Sequence, residues 1–210
     1  ALVEAGGGFV SHAMVASEPF LVAYGLDLFN NALIIDIGAG TLDLCRMHGT
    51  IPGEEDQRTL IKAGNYVDSR FHMLLQEKVQ DSPITLEMAR KIKEQYAFVS
   101  SNKEVIAVDF QVGGKPKTYD VTNELREACE SVLTDMIESA NEIILDYQLR
   151  YMKNCIESGV DLFWVNGDWA MTEKPMVSRK FTERFLAPPL KKLVDFAHSR
   201  GVPVVKHTDG

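Results

Sequence analysis

Asp36-Ile37-Gly38-Ala39-Gly40-Thr41-Leu42-Asp43-Leu44 is an acidic, glycine-rich stretch that follows an apolar run. The run from Ala32 to Ile37 predicts a buried strand, Thr41 to Met47 its antiparallel partner, and Gly38-Ala39-Gly40 the turn between them. Glycine at 38 and 40 permits positive φ and removes side chains, so backbone N–H groups can approach an anion closely. Asp36, at the end of a strand, can hold a hydrated Mg²⁺, a hard ion that prefers carboxylate and water oxygens. Thr41 offers a hydroxyl to a phosphate oxygen. Read alone, the same residues suit a plain β-hairpin equally well.

Working outward, Val10 to Ala16 is short and apolar and stops at Ser17-Glu18-Pro19, and Phe20 to Leu28 reads as a short helix. Pro52-Gly53 breaks the chain, and Arg58 to Ala63 reads as a third strand. Helices follow at Tyr66 to Val79 and Thr85 to Phe98, where Leu86, Ala89, Ile92 and Tyr96 recur at helical spacing. Val105 to Val112 and Thr118 to Val121 read as strands around a turn at Gly113-Gly114-Lys115-Pro116. The strongest pattern predicts one helix from Asn123 to Tyr147, with Leu125, Ala128, Val132, Met136, Ala140, Ile143 and Tyr147 as its apolar stripe and Thr122 as its cap. From about Leu149 the character changes. Leu162 to Val165 and Val202 to Lys206 are short apolar strands, separated by a helix that Ser178 could cap, a kink at Pro188-Pro189, and a helix to His198 that Gly201 ends. That order is the pattern of a parallel βαβ unit.

The bulk numbers narrow the function classes. Hydrophobic residues at 45% and charged residues at 25% are ordinary for a globular protein. Thirty acidic against 22 basic residues give a net charge of −8, which argues against nucleic acid as a partner. No run approaches the roughly 20 apolar residues of a membrane span, and the N-terminus has no signal-peptide pattern. It also lacks an initiator methionine, so the chain is expected to start inside a longer protein. Cys45, Cys129 and Cys155 are widely spaced, which suits reduced core thiols of a cytosolic protein.

Five blocks carry a resemblance: Ser17 to Asp27, Ile34 to Leu44, Lys62 to Asp68, Ile92 to Gln95 and Tyr119 to Thr122. Residues 9 to about 148 resemble the second half of a bacterial actin, of the MreB and MamK branches and most closely the latter. The resemblance implies an α/β fold, a partial actin-like (ribonuclease H-like) ATPase domain with ATP and Mg²⁺ as cofactors. It also implies self-association into cytoskeletal filaments in the bacterial cytoplasm, and magnetosome-associated partners. By resemblance the hairpin is the second phosphate loop, with Asp36 near the metal and Gly38, Gly40 and Thr41 beside the phosphates. Glu18 becomes the residue that orients the attacking water. Lys93 and Glu94 fall where the family contacts the nucleoside, although alone they read as a solvated charge pair. Gly64 and Asn65 close the cleft. The family's first phosphate loop and adenosine motif have no counterpart here, so weak or absent ATP binding is expected of this chain alone.

The end of the chain carries a different resemblance. Gly159 to Ala170, Phe185 to Leu193 and Gly201 to Gly210 are similar to the uroporphyrinogen decarboxylase family and its cobalamin-linked methyltransferase relatives. That family implies a βαβ fragment of a TIM barrel, whose active-site residues follow strand C-termini. Asp168 and His207 hold such positions, and a hydrogen-bonded histidine is the competing reading of His207. The expected division is therefore 1–148, an incomplete actin-like ATPase domain, and 149–210, an incomplete barrel. The chain is expected to be chimeric and inactive alone, with a decarboxylase or methyltransferase fragment as the alternative.

Overall fold

The computed structural model describes residues 15–100, 104–167, 169, 171 and 174–207. Its helices are Glu18–Gly25 (α1), Gly64–Lys78 (α2), Leu86–Tyr96 (α3), Thr122–Glu130 (α4), Leu133–Glu157 (α5) and Ala187–His198 (α6). Asn30–Ile37 (β1), Leu42–His48 (β2) and Gln57–Leu60 (β3) form an antiparallel sheet in that order. Alternation along the strands sends successive side chains to opposite faces. Cys45, Met47, Ala32 and Ile34 pack on one face under Phe20 and Ala23 of α1. Leu42, Leu44, Leu33 and Leu60 pack on the other under Met136, Ala140 and Ile143 of α5. The sheet is thus covered by a helix on each side, with the hairpin turn at one end.

A second core joins α2, α3 and α4 to the hairpin of Ala107–Val112 (β4) and Lys115–Asp120 (β5). Val67, Phe71 and Leu75 recur every fourth residue on α2, Val79 follows at its C-cap, and together they join Phe110, Leu125 and Ala128 in one core. Gly113 and Gly114 close the β4–β5 turn with φ of 59° and 77°, the pair of positive angles that a type I′ turn demands.

The long helix departs from expectation twice. It is two helices, divided at Ser131, whose N–H (3.3 Å) and hydroxyl (2.5 Å) both turn back to the Ala128 carbonyl. The apolar stripe continues in phase through that bend, so periodicity alone cannot reveal it. Thr122 is also not the cap. Its hydroxyl donates to Asp120 Oδ1 (2.6 Å) and accepts from Ile106 N–H (2.8 Å), while Asp120 accepts the Thr122 N–H (3.0 Å). These bonds hold the Asp120 carboxyl below the usual range.

The second helix then runs unbroken to Glu157, so the expected division at 148/149 falls inside α5. Its C-terminal half, Leu145 and Met152, packs against Leu193, Ala197 and Val202 of the last segment. There Phe163–Val165 (β6) and Val204–Lys206 (β7) pair in parallel, as the sequence pattern predicts. Between them Arg179–Phe181 leads into a π-helical turn at Thr182–Leu186 before α6. Pro189 cannot donate to the carbonyl one turn back, and Asn141 Nδ2 of α5 fills that role at Phe185 O (3.0 Å).

Candidate functional site

The hairpin turn spans residues 38–41, with Gly38 N–H donating to Thr41 O (2.9 Å). Neither Gly38 nor Gly40 adopts a positive φ, contrary to the sequence expectation. Gly38 is needed for space, because a Cβ there lies 3.1 Å from Thr41 O. Gly40 faces open space, with nothing within 4 Å of an added Cβ.

The start of α2 clasps this turn. Gly64 N–H donates to Gly38 O (3.0 Å) and Asn65 N–H to Ala39 O (2.8 Å). A Cβ on Gly64 would sit 3.2 Å from Gly38 O, so only glycine permits this approach without a shift. The first amides of α2 are therefore used within the protein. The amides of Ala39 and Gly40, in contrast, meet no acceptor among the described residues. An adjoining cavity of about 480 Å³ is lined by Gly38, Gly64, Asp68, Arg90, Lys93 and Glu94, among others.

Thr85 caps α3 by accepting the Met88 N–H (3.2 Å), which fixes the start of the helix that presents Arg90, Lys93 and Glu94. Arg90 and Lys93 stand one turn apart and share one carboxylate, that of Asp68 on α2. Arg90 Nε lies 3.0 Å from Asp68 Oδ2, and Lys93 Nζ 2.9 Å from Oδ1. Asp68 is only 2% exposed. Its hydrogen bond and charge raise the Arg90 guanidinium above its ordinary value. Sequence reasoning missed Asp68 and Arg90, because their pairing spans 22 residues and two helices.

Of the residues singled out in the sequence, Gly38, Gly64, Asn65, Lys93 and Glu94 meet at this cavity. Gly40 and Thr41 lie on the exposed turn beside it. Asp36 is half-buried and directly opposite Asp43 in the β1–β2 register, which puts two carboxylates on one sheet face. Like charges so placed repel; Asp43 also accepts the Thr59 hydroxyl (2.5 Å). Asp36 shares its face with Ala32 and Ile34, the face α1 covers. Glu18 is exposed in the first turn of α1 and is not among the residues that line the cavity.

The remaining candidates lie elsewhere. His207 is exposed, with Nδ1 3.1 Å from Asn166 Oδ1 and its ring stacked on Trp164 at 5.8 Å. Asp168 lies outside the described residues. Among the described residues no three His, Cys, Asp or Glu side chains gather as a metal cluster. Cys45 and Cys129 are buried, and burial, with Asp56 nearby, pushes the Cys45 thiol up to about 11. No helix among those residues is long and apolar enough to cross a membrane.

The far end of the sheet holds a second charged cluster. Asp56, 2% exposed, meets His48 Nε2 (2.9 Å), Arg150 (2.6 Å) and the Gly53 N–H (3.1 Å). Burial works to raise its carboxyl, but the hydrogen bonds from His48, Arg150 and Gly53 outweigh that and hold it below the usual range. Arg150 also reaches Glu55 (2.6 Å), and Arg46 lies over the Tyr147 ring at 3.4 Å.

With this geometry in place, comparison with known proteins adds family context. The actin-like protein MamK of Paramagnetospirillum magneticum strain AMB-1 is 43% identical over 149 residues, 71% of this chain and 43% of that protein. MamK of Magnetospirillum gryphiswaldense strain MSR-1 is 42% identical over 149 residues, 71% of this chain and 41% of that protein. The chain therefore spans less than half the length of these curated relatives. A solved non-polymerising MamK mutant bound to AMPPNP overlays with a TM-score of 0.61 at 36% identity, covering 98% of this chain and 59% of that one. A MamK double helical filament overlays at 0.63 and 35%, covering 99% of this chain and 59% of that one. No family model matches the chain. These relatives and structural neighbours support an actin-like family of the MamK kind and an α/β fold.

Proposed function

We propose that the hairpin end of this chain is one wall of the ATP site of a filament-forming, actin-like protein. The observation that carries this reading is the pair of partnerless amides at Ala39 and Gly40, set beside a cavity whose other wall bears Arg90 and Lys93. Turn amides of this kind suit an anion, and an added Cβ at Gly40 meets nothing within 4 Å. The MamK relative solved with AMPPNP supports a nucleoside triphosphate as that anion. The MamK filament supports self-association as the assembly in which the site works.

Each residue then has a physical task. Ala39 and Gly40 N–H groups hold phosphate oxygens, and the Thr41 hydroxyl adds a donor beside them. Asp36, with Asp43 opposite, suits a hydrated Mg²⁺, because a cation relieves the repulsion of two carboxylates on one face. Lys93, Glu94 and Arg90 face the nucleoside end. Glu18 accepts a proton from, or orients, the water that attacks the terminal phosphate. Bound ATP supplies the phosphoanhydride whose cleavage this arrangement serves. The chain spans less than half the length of its MamK relatives, and a weak hold on ATP is expected of it alone.

A second reading concerns residues 149–210 as a piece of a uroporphyrinogen decarboxylase-like barrel. It is favoured by the parallel β6–β7 pair with a helical crossover. Two observations favour a single actin-like body instead: α5 runs unbroken through 148/149, and the MamK overlays extend over 98–99% of the chain. The single-body reading is the one we adopt.

A thermal melt tests the site. AMPPNP with Mg²⁺ should raise the melting temperature, since a ligand that binds only the folded state stabilises it. Gly40→Leu should abolish that rise while leaving the unliganded melt unchanged, because its side chain enters open space. An equal rise in both proteins overturns the assignment.

A further inference from the structure

We infer that Asp68 is a positioning residue, which aims the Lys93 ammonium at the nucleoside end of the cavity and fixes its distance from the hairpin turn; the inference rests on the nucleotide reading above. The geometry begins with α2. Gly64 and Asn65, in its first turn, grip the carbonyls of Gly38 and Ala39. One turn later on the same helix, Asp68 grips Lys93 (2.9 Å) and Arg90 (3.0 Å) on α3. A helix turn is stiff, with a rise of about 1.5 Å per residue. The start of α2 therefore acts as a ruler between the turn amides and the two cations.

The chemistry favours this role over a plain helix–helix staple. A carboxylate that is 2% exposed has lost nearly all its hydration. Apolar side chains would join α2 to α3 without that cost, and Val67 and Phe71 already do so with the core. What an apolar contact cannot do is draw two flexible cationic chains to one point. Asp68 Oδ2 takes a directed bond from Arg90. Oδ1 is matched in charge by Lys93 but has no aligned hydrogen bond. The ammonium is thus held by charge beside the cavity wall.

Amine acylation read by mass spectrometry tests this on the whole chain, without ligand. Lys91 is the internal reference, because it stands on the same helix with its side chain 74% exposed against 19% for Lys93. In the unmodified protein Lys93 should react more slowly than Lys91. Asp68→Asn should speed Lys93 several-fold and leave Lys91 unchanged, and Asp68→Glu should restore part of the protection. In parallel, Asp68→Asn should weaken adenosine and AMPPNP binding by the same factor, about tenfold for one lost charge-assisted contact. Equal acylation of Lys93 and Lys91 in the unmodified protein overturns the pairing, with no variant needed. An unchanged Lys93 rate in Asp68→Asn does the same. A freed Lys93 with unchanged affinity overturns the positioning role. Absence of any AMPPNP binding to the unmodified chain overturns the nucleotide reading, and the acylation rates still report the Asp68–Lys93 pairing separately.

Discussion

The two ends of the three-stranded sheet treat their polar groups in opposite ways. At the far end Asp56 is met by His48, Arg150 and the Gly53 amide, so its charge is matched inside the fold. At the hairpin end the Ala39 and Gly40 amides have no partner among the described residues, and Asp36 faces Asp43 across the strands. Both ends are charged and both are built by the same two strands. The difference is that the buried Asp56 carboxylate finds its partners inside the fold, whereas the Ala39 and Gly40 amides stand on an exposed turn without one among the described residues. An internally matched cluster stabilises a fold, whereas an unmatched one is available to a ligand.

The largest expected effect comes from breaking the internally matched end. Arg150→Ala removes one partner from a buried carboxylate and should cost roughly 1–3 kcal/mol in urea unfolding. It should leave nucleotide affinity unchanged, and a loss of affinity would blur the contrast between the ends. Next is Gly64→Ala, whose Cβ presses on Gly38 O at 3.2 Å. It should cost about 1 kcal/mol and also weaken AMPPNP, because the turn must shift.

Acid exposes the same asymmetry. The Asp56 carboxyl lies below its ordinary value in the folded state. Its contribution is therefore full above the unfolded value of about 3.9 and is lost as pH falls through the folded value. A urea series from pH 6 downward should show stability falling below about pH 4, and Asp56→Asn should flatten that fall. An identical acid profile in the variant would remove Asp56 from the cause. The smallest stability effect belongs to Gly40→Ala, within about 0.5 kcal/mol because its methyl meets nothing. Its AMPPNP affinity should nevertheless drop, while adenosine binding stays.

Local patterns in the sequence carry much of this. The hairpin, the third strand and the glycine turn at 113–114 follow from alternation and turn chemistry. The glycines at 38 and 40 were expected to supply positive φ, yet one serves close approach and the other leaves room. The bend at Ser131 was hidden because the apolar stripe stays in phase on both sides. The reach of α5 to Glu157 was hidden by a change in character near Leu149, although Leu145, Leu149, Met152 and Ile156 continue the helical spacing into the last core. Lys93 and Glu94, singled out through family resemblance, do line the cavity. Asp68 was not legible, because a lone aspartate on a helix shows its value only when another helix brings two cations to it.

The most direct measurement is a titration of the ¹⁵N-labelled chain with AMPPNP and Mg²⁺, followed by amide NMR. Shifts centred on Ala39 and Gly40 and extending to Lys93, with the Gly53 and Asp56 amides still, are the expected result. Shifts confined to the Asp56 end, or none at millimolar nucleotide, would contradict the assignment of the hairpin end as the phosphate wall.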